Sequence, residues 1–348
     1  MIIIILLTFL IWKSDFFLNI SRSNRLALIG ILLFGVIVAQ LVLPDGNSLR
    51  EATGGEVGPW LLLIGFAAVI ALYFKGLSWL KQRASKPEAD IQKPSGTFSA
   101  AELNRYARHM MLREIGGPGQ KALKNAKVLV IGAGGLGSPA LLYLAAGGVG
   151  TIGVVDDDNV DGSNLQRQVI HNDASIGMPK VHSAAAAMRA LNPFIEVKPY
   201  QRRLTEDDAR ILFAEYDLIL DGTDNFDTRY MVNRNCVELG KPLISAAMTQ
   251  WEGQISLYHP AGGAPCYQCV FPSAPASDLV PTCAEAGVLG PLPGIIGSMM
   301  AGETIKILTG AGQPLKGHIL IYDALYSQMR VMSAKRNKDC PICGSKHL

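Results

Sequence analysis

The chain reads as an α/β protein with a mixed, partly parallel sheet, preceded by transmembrane helices. Three observations predict this. From residue 100 onward, β-branched runs alternate with helical stretches; a glycine-rich turn joins the first strand to the first helix of that part; and two uncharged apolar runs come before it. Of 348 residues, 49% are hydrophobic and 18% charged, against about 25% charged in an ordinary soluble domain. Residues 1–94 hold nine Lys/Arg against six Asp/Glu, and 95–348 hold 23 of each. The neutral body excludes a non-specific nucleic-acid binder, which needs a basic footprint to displace counterions. Disorder and collagen-like repeats are excluded by composition.

The apolar runs come first in the chain. Residues 26–43 (LALIGILLFGVIVAQLVL) contain Gln40 as their one strongly polar member, and 57–74 (VGPWLLLIGFAAVIALYF) are uncharged. Each meets the roughly 18 residues a helix needs to cross a hydrocarbon core. Residues 1–84 are therefore expected to form a membrane segment with spans at 26–43 and 57–74, and 1–12 an interfacial helix or a third span. The alternative is a buried hairpin of a soluble core. Arg22 and Arg25 precede the first run, Lys75, Lys81, Arg83 and Lys86 follow the second, and the loop 44–56 between them carries a net charge of −2. Basic flanks stay on the cytoplasmic side, so a multi-pass inner-membrane protein is expected, its catalytic domain facing the cytoplasm. Trp60, Tyr73 and Trp79 are expected interfacial anchors, and 85–99 (SKPEADIQKPSGTFS) a polar linker.

In the remainder, 127–131 (KVLVI) reads as a strand, Gly132-Ala-Gly-Gly-Leu-Gly137 follows at once, and 138–146 reads as a helix. This arrangement gathers backbone N–H groups and a helix N-terminus at one point, an anion site. The next strand, 151–155, ends at Asp156, nineteen residues after Gly137, where an acidic residue suits a ribose hydroxyl. Further strands are expected at 195–200, 217–221, 243–246, 254–258 and 318–322, the first half of the sheet parallel and covered by helices on both faces.

A lone G-x-G-x-x-G also fits an NAD-linked oxidoreductase, and no Walker A sequence is present. Three later features favour phosphate chemistry over hydride transfer. Asn164-Leu-Gln-Arg-Gln168 places Asn164 and Arg167 within reach of phosphates at the glycine turn. Gly177-Met-Pro-Lys180 opens a helix over 179–191 with a cation in the first turn, against the helix dipole; such a lysine suits a bound anion. Asp221-Gly-Thr-Asp-Asn225 ends a hydrophobic strand at the sheet edge where α/β proteins bind ligands. Its acidic pair could hold Mg²⁺ with phosphates completing the shell; an Asx-rich turn is the plainer alternative.

Six cysteines complete the inventory. Cys266-Tyr-Gln-Cys269 and Cys340-Pro-Ile-Cys343 are two C-x-x-C pairs, a donor set for a closed, structural tetrahedral zinc. A redox C-x-x-C and unliganded thiols are the alternatives. Cys283 stands unpaired in a Pro- and Ser-rich stretch, where it suits a reactive thiol or a small packed residue. Cys236 falls in a helical stretch and reads as packing.

Arg105-Tyr-Ala-Arg108, GAGGLG, NLQRQ, the Lys180 helix, DGTDN, Gly294-Ile-Ile-Gly-Ser298 and both C-x-x-C pairs, in this order, resemble the MoeB/ThiF/HesA group of ubiquitin-activating-type adenylyltransferases over residues ~100–348. The resemblance is nearest to the molybdopterin-synthase branch, and the thiamine branch shares nearly all of it. It implies a Rossmann-like, ubiquitin-activating-type fold and ATP-dependent adenylylation of the C-terminal glycine carboxylate of a ubiquitin-like sulfur carrier, with ATP, Mg²⁺ and Zn²⁺. By that pattern Gly132, Gly134, Gly135 and Asp156 hold the nucleotide, and Asn164, Arg167 and Lys180 contact phosphates. Asp224 carries Mg²⁺, Arg108 reaches the triphosphate of a second subunit in a homodimer, and Cys283 matches a cysteine some members use in sulfur transfer. Sulfur is expected from a donor protein in trans, since the chain continues five residues past Cys343. The soluble relatives lack the apolar hairpin. A non-catalytic scaffold and the NAD-linked oxidoreductase stand as remote alternatives.

Overall fold

The computed structural model describes Ile4, Thr8 and residues 22–84, 97–275 and 286–344. Two compact units divide the chain, Met1–Lys93 and Pro94–Leu348.

In the first unit, α1 (Arg22–Val42), α2 (Ser48–Ala52) and α3 (Gly58–Ala84) follow in order. The connection between the long helices is a polar knot. Gln40, buried near the end of the first apolar run, donates to Arg50 O at 2.9 Å and to Thr53 Oγ1 at 2.6 Å. Arg50 donates to Leu43 O and pairs with Asp45 at 2.6 Å. Trp60 is buried with Ile4 and Val36 and donates from Nε1 to Thr53 O, so it is a packed residue of the hairpin rather than an interfacial anchor. Among the described residues, no helix is long and apolar enough to cross a membrane. The spans expected at 26–43 and 57–74 are corrected accordingly, and with them the multi-pass inner-membrane location and the membrane partner. A count of apolar letters overstates a span, which needs about 20 consecutive apolar helical residues. Here the bonded Gln40 interrupts the first run three residues before its end, while α3 opens on Gly58-Pro59 and the tethered Trp60 and the second run stops before Lys75. Apart from Ile4 and Thr8, the expected segment 1–12 lies outside the described residues, as do 85–96 of the linker.

The second unit opens with α4 (Ala100–Met110), started by a capping box in which Ser99 and Glu102 each satisfy the other's backbone N–H. After α5 (Gly116–Asn125) the chain alternates: β1 (Lys127–Ile131), α6 (Gly137–Gly147), β2 (Thr151–Asp156), α7 (Lys180–Leu191), β3 (Glu196–Gln201), α8 (Glu206–Ala214), β4 (Leu218–Asp221), α9 (Phe226–Glu238) and β5 (Leu243–Met248). It then runs through β6 (Glu252–Tyr258), α10 (Tyr267–Val270), α11 (Pro291–Thr309), β7 (His318–Asp323) and β8 (Gln328–Ser333). The sheet order is β3-β2-β1-β4-β5-β6-β7-β8. The first five strands are parallel and the last three antiparallel. Parallel neighbours require crossovers, and α6 to α9 supply them.

Alternation along β1 divides the core. Val128 and Val130 pack with residues of α6, α7 and α11 on one face, while Leu129 and Ile131 pack with residues of α8 and α9 on the other. A strand covered on both faces has little room for polar residues, which is why KVLVI is legible as a strand. The strand β8 was not anticipated. All six of its residues are exposed at the sheet edge, so no core imposes an alternating pattern on them.

Candidate active site and cysteine cluster

β1, β2 and β4 are adjacent and parallel, so the glycine turn, Asp156 and the 221–225 turn emerge at one edge. β1 is also where the chain switches direction across the sheet, from β2 and β3 on one side to β4 and β5 on the other; α/β sheets bind ligands at such crevices.

The glycine turn presses backbone against backbone. Gly132 sits at φ +92°, and a Cβ there would lie 3.2 Å from Gly222 O. A Cβ on Gly137 would fall 1.9 Å from Gly132 O, so α6 starts close to the turn only because that residue is glycine. Gly132 N donates to Val155 O and Gly222 N to Ile131 O, which ties the three strand ends together.

Asp156 accepts from Ala133 N at 2.7 Å through Oδ2 and from Asp158 N at 2.9 Å through Oδ1. Burial pushes its carboxyl above the ordinary value, while the Ala133 N–H and the Lys180 charge pull the other way. Behind the turn, His171 bridges Ser183 Oγ and Ala133 O, each at 2.9 Å. Burial lowers its pKa, so the imidazole is neutral, with Nε2 donating to the carbonyl and Nδ1 accepting from the hydroxyl.

Around this frame stand the cations. Lys180, the first residue of α7, is buried, and its Nζ lies 2.7 Å from Asp158 Oδ2. Arg167 donates to Asn164 Oδ1 at 2.7 Å, so the two residues are oriented as a pair. The 221–225 turn is clamped from both sides. Asp221 is fully buried; its Oδ1 accepts from Thr223 N and Oγ1, and its Oδ2 from Ser245 Oγ. The buried Arg229 donates to Thr223 O, and Asn225 caps α9 by accepting from Thr228 N. The reading of Asp221 and Asp224 as a metal-holding pair is corrected here. Asp221 is fully buried, and Asp224 alone of the two is exposed.

Arg108 stands apart. It lies on α4 and lines a cavity of about 300 Å³ with Arg105, His109, Tyr143, Ser298 and Gly302; no residue of the glycine turn lines that cavity. Cys283 lies outside the described residues. Sequence reasoning missed His171 and the pairing of Lys180 with Asp158. Neither has a local signal, because each links residues 12 to 38 positions apart.

On the other side of the domain's chain order, Cys266 and Cys269 at α10 meet Cys340 and Cys343. Their sulfur atoms all lie within 4.8 Å of one another. Cys266 Sγ is 3.8 Å from that of Cys269 and 3.6 Å from that of Cys340, and Cys269 Sγ is 3.3 Å from that of Cys343. A tetrahedral zinc with bonds of about 2.3 Å places its sulfurs about 3.8 Å apart, so the donor set fits that ion in number, chemistry and spacing. Burial raises the Cys340 thiol, but N–H groups of Cys343 and Ile342 directed at its sulfur bring it below the ordinary value.

A model of the ThiF family matches residues 106–342. The chain belongs to the ThiF family. It is 48% identical over 253 residues to the sulfur carrier protein adenylyltransferase of Thermus thermophilus, covering 72% of this chain and 93% of that relative. It is 48% identical over 254 residues to a probable adenylyltransferase/sulfurtransferase MoeZ of Mycobacterium tuberculosis, of which it spans 65%. The SAMP-activating enzyme E1 of Haloferax volcanii is 46% identical over 248 residues, 71% of this chain and 91% of that one. Among solved structures, Escherichia coli MccB with ATP superposes at a TM-score of 0.62 over 72% of this chain and 77% of that one, at 24% identity, and shares the fold. This ThiF-family chain is thus an adenylyltransferase of the E1-like class, and the oxidoreductase and scaffold alternatives fall away.

Proposed function

We propose that the protein uses ATP to adenylylate the C-terminal glycine carboxylate of a ubiquitin-like sulfur-carrier protein. What supports this is the emergence of the glycine turn, Asp156 and the 221–225 turn at one sheet edge, with the buried Lys180 paired to Asp158. The likeness to the Thermus and Haloferax proteins supports the choice of substrate. A carboxylate oxygen of the carrier attacks the α-phosphorus, the bond from that phosphorus to the bridging oxygen breaks, and pyrophosphate leaves. The attacking group is already ionised, so no general base is required; catalysis is positioning and neutralisation of charge.

In this reading the N–H groups of the turn at Gly132, Gly134 and Gly135 face the nucleotide, and Asp156 accepts from the ribose. Lys180 exchanges Asp158 for a phosphate, and the Asn164–Arg167 pair meets the others. Asp224 holds Mg²⁺, which offsets phosphate charge when bound. Arg108, remote from the turn of its own chain, serves the triphosphate of a second subunit in a homodimer. Cys283 takes the outer sulfur from the persulfide of a donor protein, forming a Cys283 persulfide and leaving the donor as a thiol. The four-cysteine site holds structural zinc. The pathway is that of molybdenum cofactor, with the thiamine-pathway carrier as the second reading, favoured by motifs the two branches share.

ATP–pyrophosphate exchange tests this directly, with a molybdopterin-type and a thiamine-type carrier supplied separately. Exchange is expected with the molybdopterin-type carrier and abolished when its terminal glycine is removed. Exchange with the thiamine-type carrier alone reassigns the pathway. Exchange with neither, in folded zinc-loaded protein, overturns the proposed substrate.

A further inference from the structure

Along α3 the first unit leaves an apolar helix uncovered. Trp60 is packed, while every described residue from 61 to 77 is exposed. The unit's buried core is confined to Ile4, Val36 and Trp60, with Leu32, Leu33 and Ile37 against them. Leu62, Phe66, Val69 and Tyr73 are 64–76% exposed and recur at spacings of four, three and four. At 3.6 residues per turn they form one stripe, on the far side of the helix from Trp60. An apolar stripe with this spacing is the seam by which one helix packs along another.

Leu63, Ile70 and Leu72 flank the seam and are exposed as well. Side chains of this size and exposure offer roughly 100 Å² each, so the stripe offers on the order of 700 Å² of apolar surface. The largest apolar patch on a soluble monomer is about 300–600 Å², and a stable dimer takes about 800 Å² from each partner. We propose that α3 packs along α3 of a second copy of this chain, seam against seam about a two-fold axis. The area is what such a pairing buries. The stripe is uncharged, so the same stripe on another copy complements it. Gly65, beside the seam, has nothing within 4 Å of where a Cβ would stand, which leaves room for the partner helix. This contact belongs to the first unit, is additional to the Arg108 contact proposed for the second, and needs no nucleotide.

The test is photo-crosslinking of the full chain, with p-benzoylphenylalanine in place of Tyr73. The labelled protein is irradiated without ATP, alone and with phosphatidylcholine vesicles, and a covalent adduct of two chains is expected in both. In the seam variant Leu62→Ala/Phe66→Ala/Val69→Ala the yield should fall at least about tenfold, since apolar burial is lost on both partners. In Leu61→Ala/Ile64→Ala, which truncates exposed side chains away from the seam, the yield should persist. Alanine favours the helix, so a fall confined to the first variant reports the seam rather than unfolding. No adduct of two chains, equal yields in the two variants, or capture of the label by phospholipid in place of protein overturns the pairing. Pyrophosphate exchange is read separately, so none of these outcomes bears on the proposed adenylylation.

Discussion

The glycine-turn edge and the cysteine cluster are both assembled from distant parts of the chain, yet they are built oppositely. At the cysteines, the functional atoms face one another: three of the four residues are buried, and the sulfurs close on a common centre. At the glycine turn the protein's own polar groups brace the backbone, and what they present faces outward. Asp221, Arg229, His171 and Ser245 are buried and bonded, whereas Asp224 at the end of that framework is exposed. A closed donor set suits a structural ion; a braced backbone with outward-facing charges suits a substrate that comes and goes.

The largest effect is expected at the closed site. Replacing Cys340 and Cys343 together by serine removes half the donors, and a structural zinc contributes on the order of 10 kcal/mol in small zinc domains. Metal analysis should show one zinc per wild-type chain and none in the variant, with the tail beyond residue 333 opened to protease. Zinc-free wild-type protein with an intact tail would break the contrast, since the cluster would then be packing thiols.

At the open site, the expected loss is in activity rather than stability. Lys180→Met should lower pyrophosphate exchange by roughly 10²–10³-fold, the usual cost of removing a charge-stabilising group. Its melting temperature should move little, because the partner it abandons, Asp158, has a side chain 67% exposed to water. A large drop in melting with exchange retained would make Lys180 a structural cation.

Smaller again is the effect of loosening the brace. Asp221→Ala leaves Thr223 N and the Ser245 hydroxyl without their acceptor, at a cost of about 1–3 kcal/mol for each buried group left unmatched. Both stability and the Mg²⁺ dependence of exchange should weaken, and an unchanged Mg²⁺ dependence would separate Asp221 from Asp224.

The mildest probe is pH. Burial holds the His171 pKa below its ordinary 6.5, so the unfolded chain takes up the proton first as pH falls. Stability is therefore full above pH of about 6.5 and declines below it by up to about 1.4 kcal/mol per pH unit, until the lowered folded value is reached. Denaturation of wild type and His171→Gln between pH 7.5 and 5 checks this; an equal acid loss in both would assign the titration elsewhere.

Much of the second unit was legible in the sequence, for reasons particular residues make plain. The stretches VLVI (128–131) and LILD (218–221) are buried on both faces, so their composition reports their position. GAGGLG is legible because only glycine allows Gly137 to lie against Gly132 O. The cysteine spacing is legible because thiolates have few other reasons to recur as C-x-x-C pairs. Illegible were the edge strand β8, which no core patterns, and the division of labour between Asp221 and Asp224, two carboxylates three residues apart. The apolar runs misled, since a count of letters does not register that Gln40 and Trp60 are bonded into the turn between the helices.

By itself, the sequence determined the alternation of strand and helix, the glycine turn and the identity of the four sulfur donors, because these depend on local backbone freedom, periodic burial and residue chemistry. Only the tertiary structure decided which charges are spent inside the protein and which remain for a ligand. Lys180 with Asp158, Asp221 with Ser245 and His171 with Ala133 are all set by contacts across elements. Whether a polar group is free depends on what the fold places within hydrogen-bond distance of it, and separation along the chain carries no record of that distance.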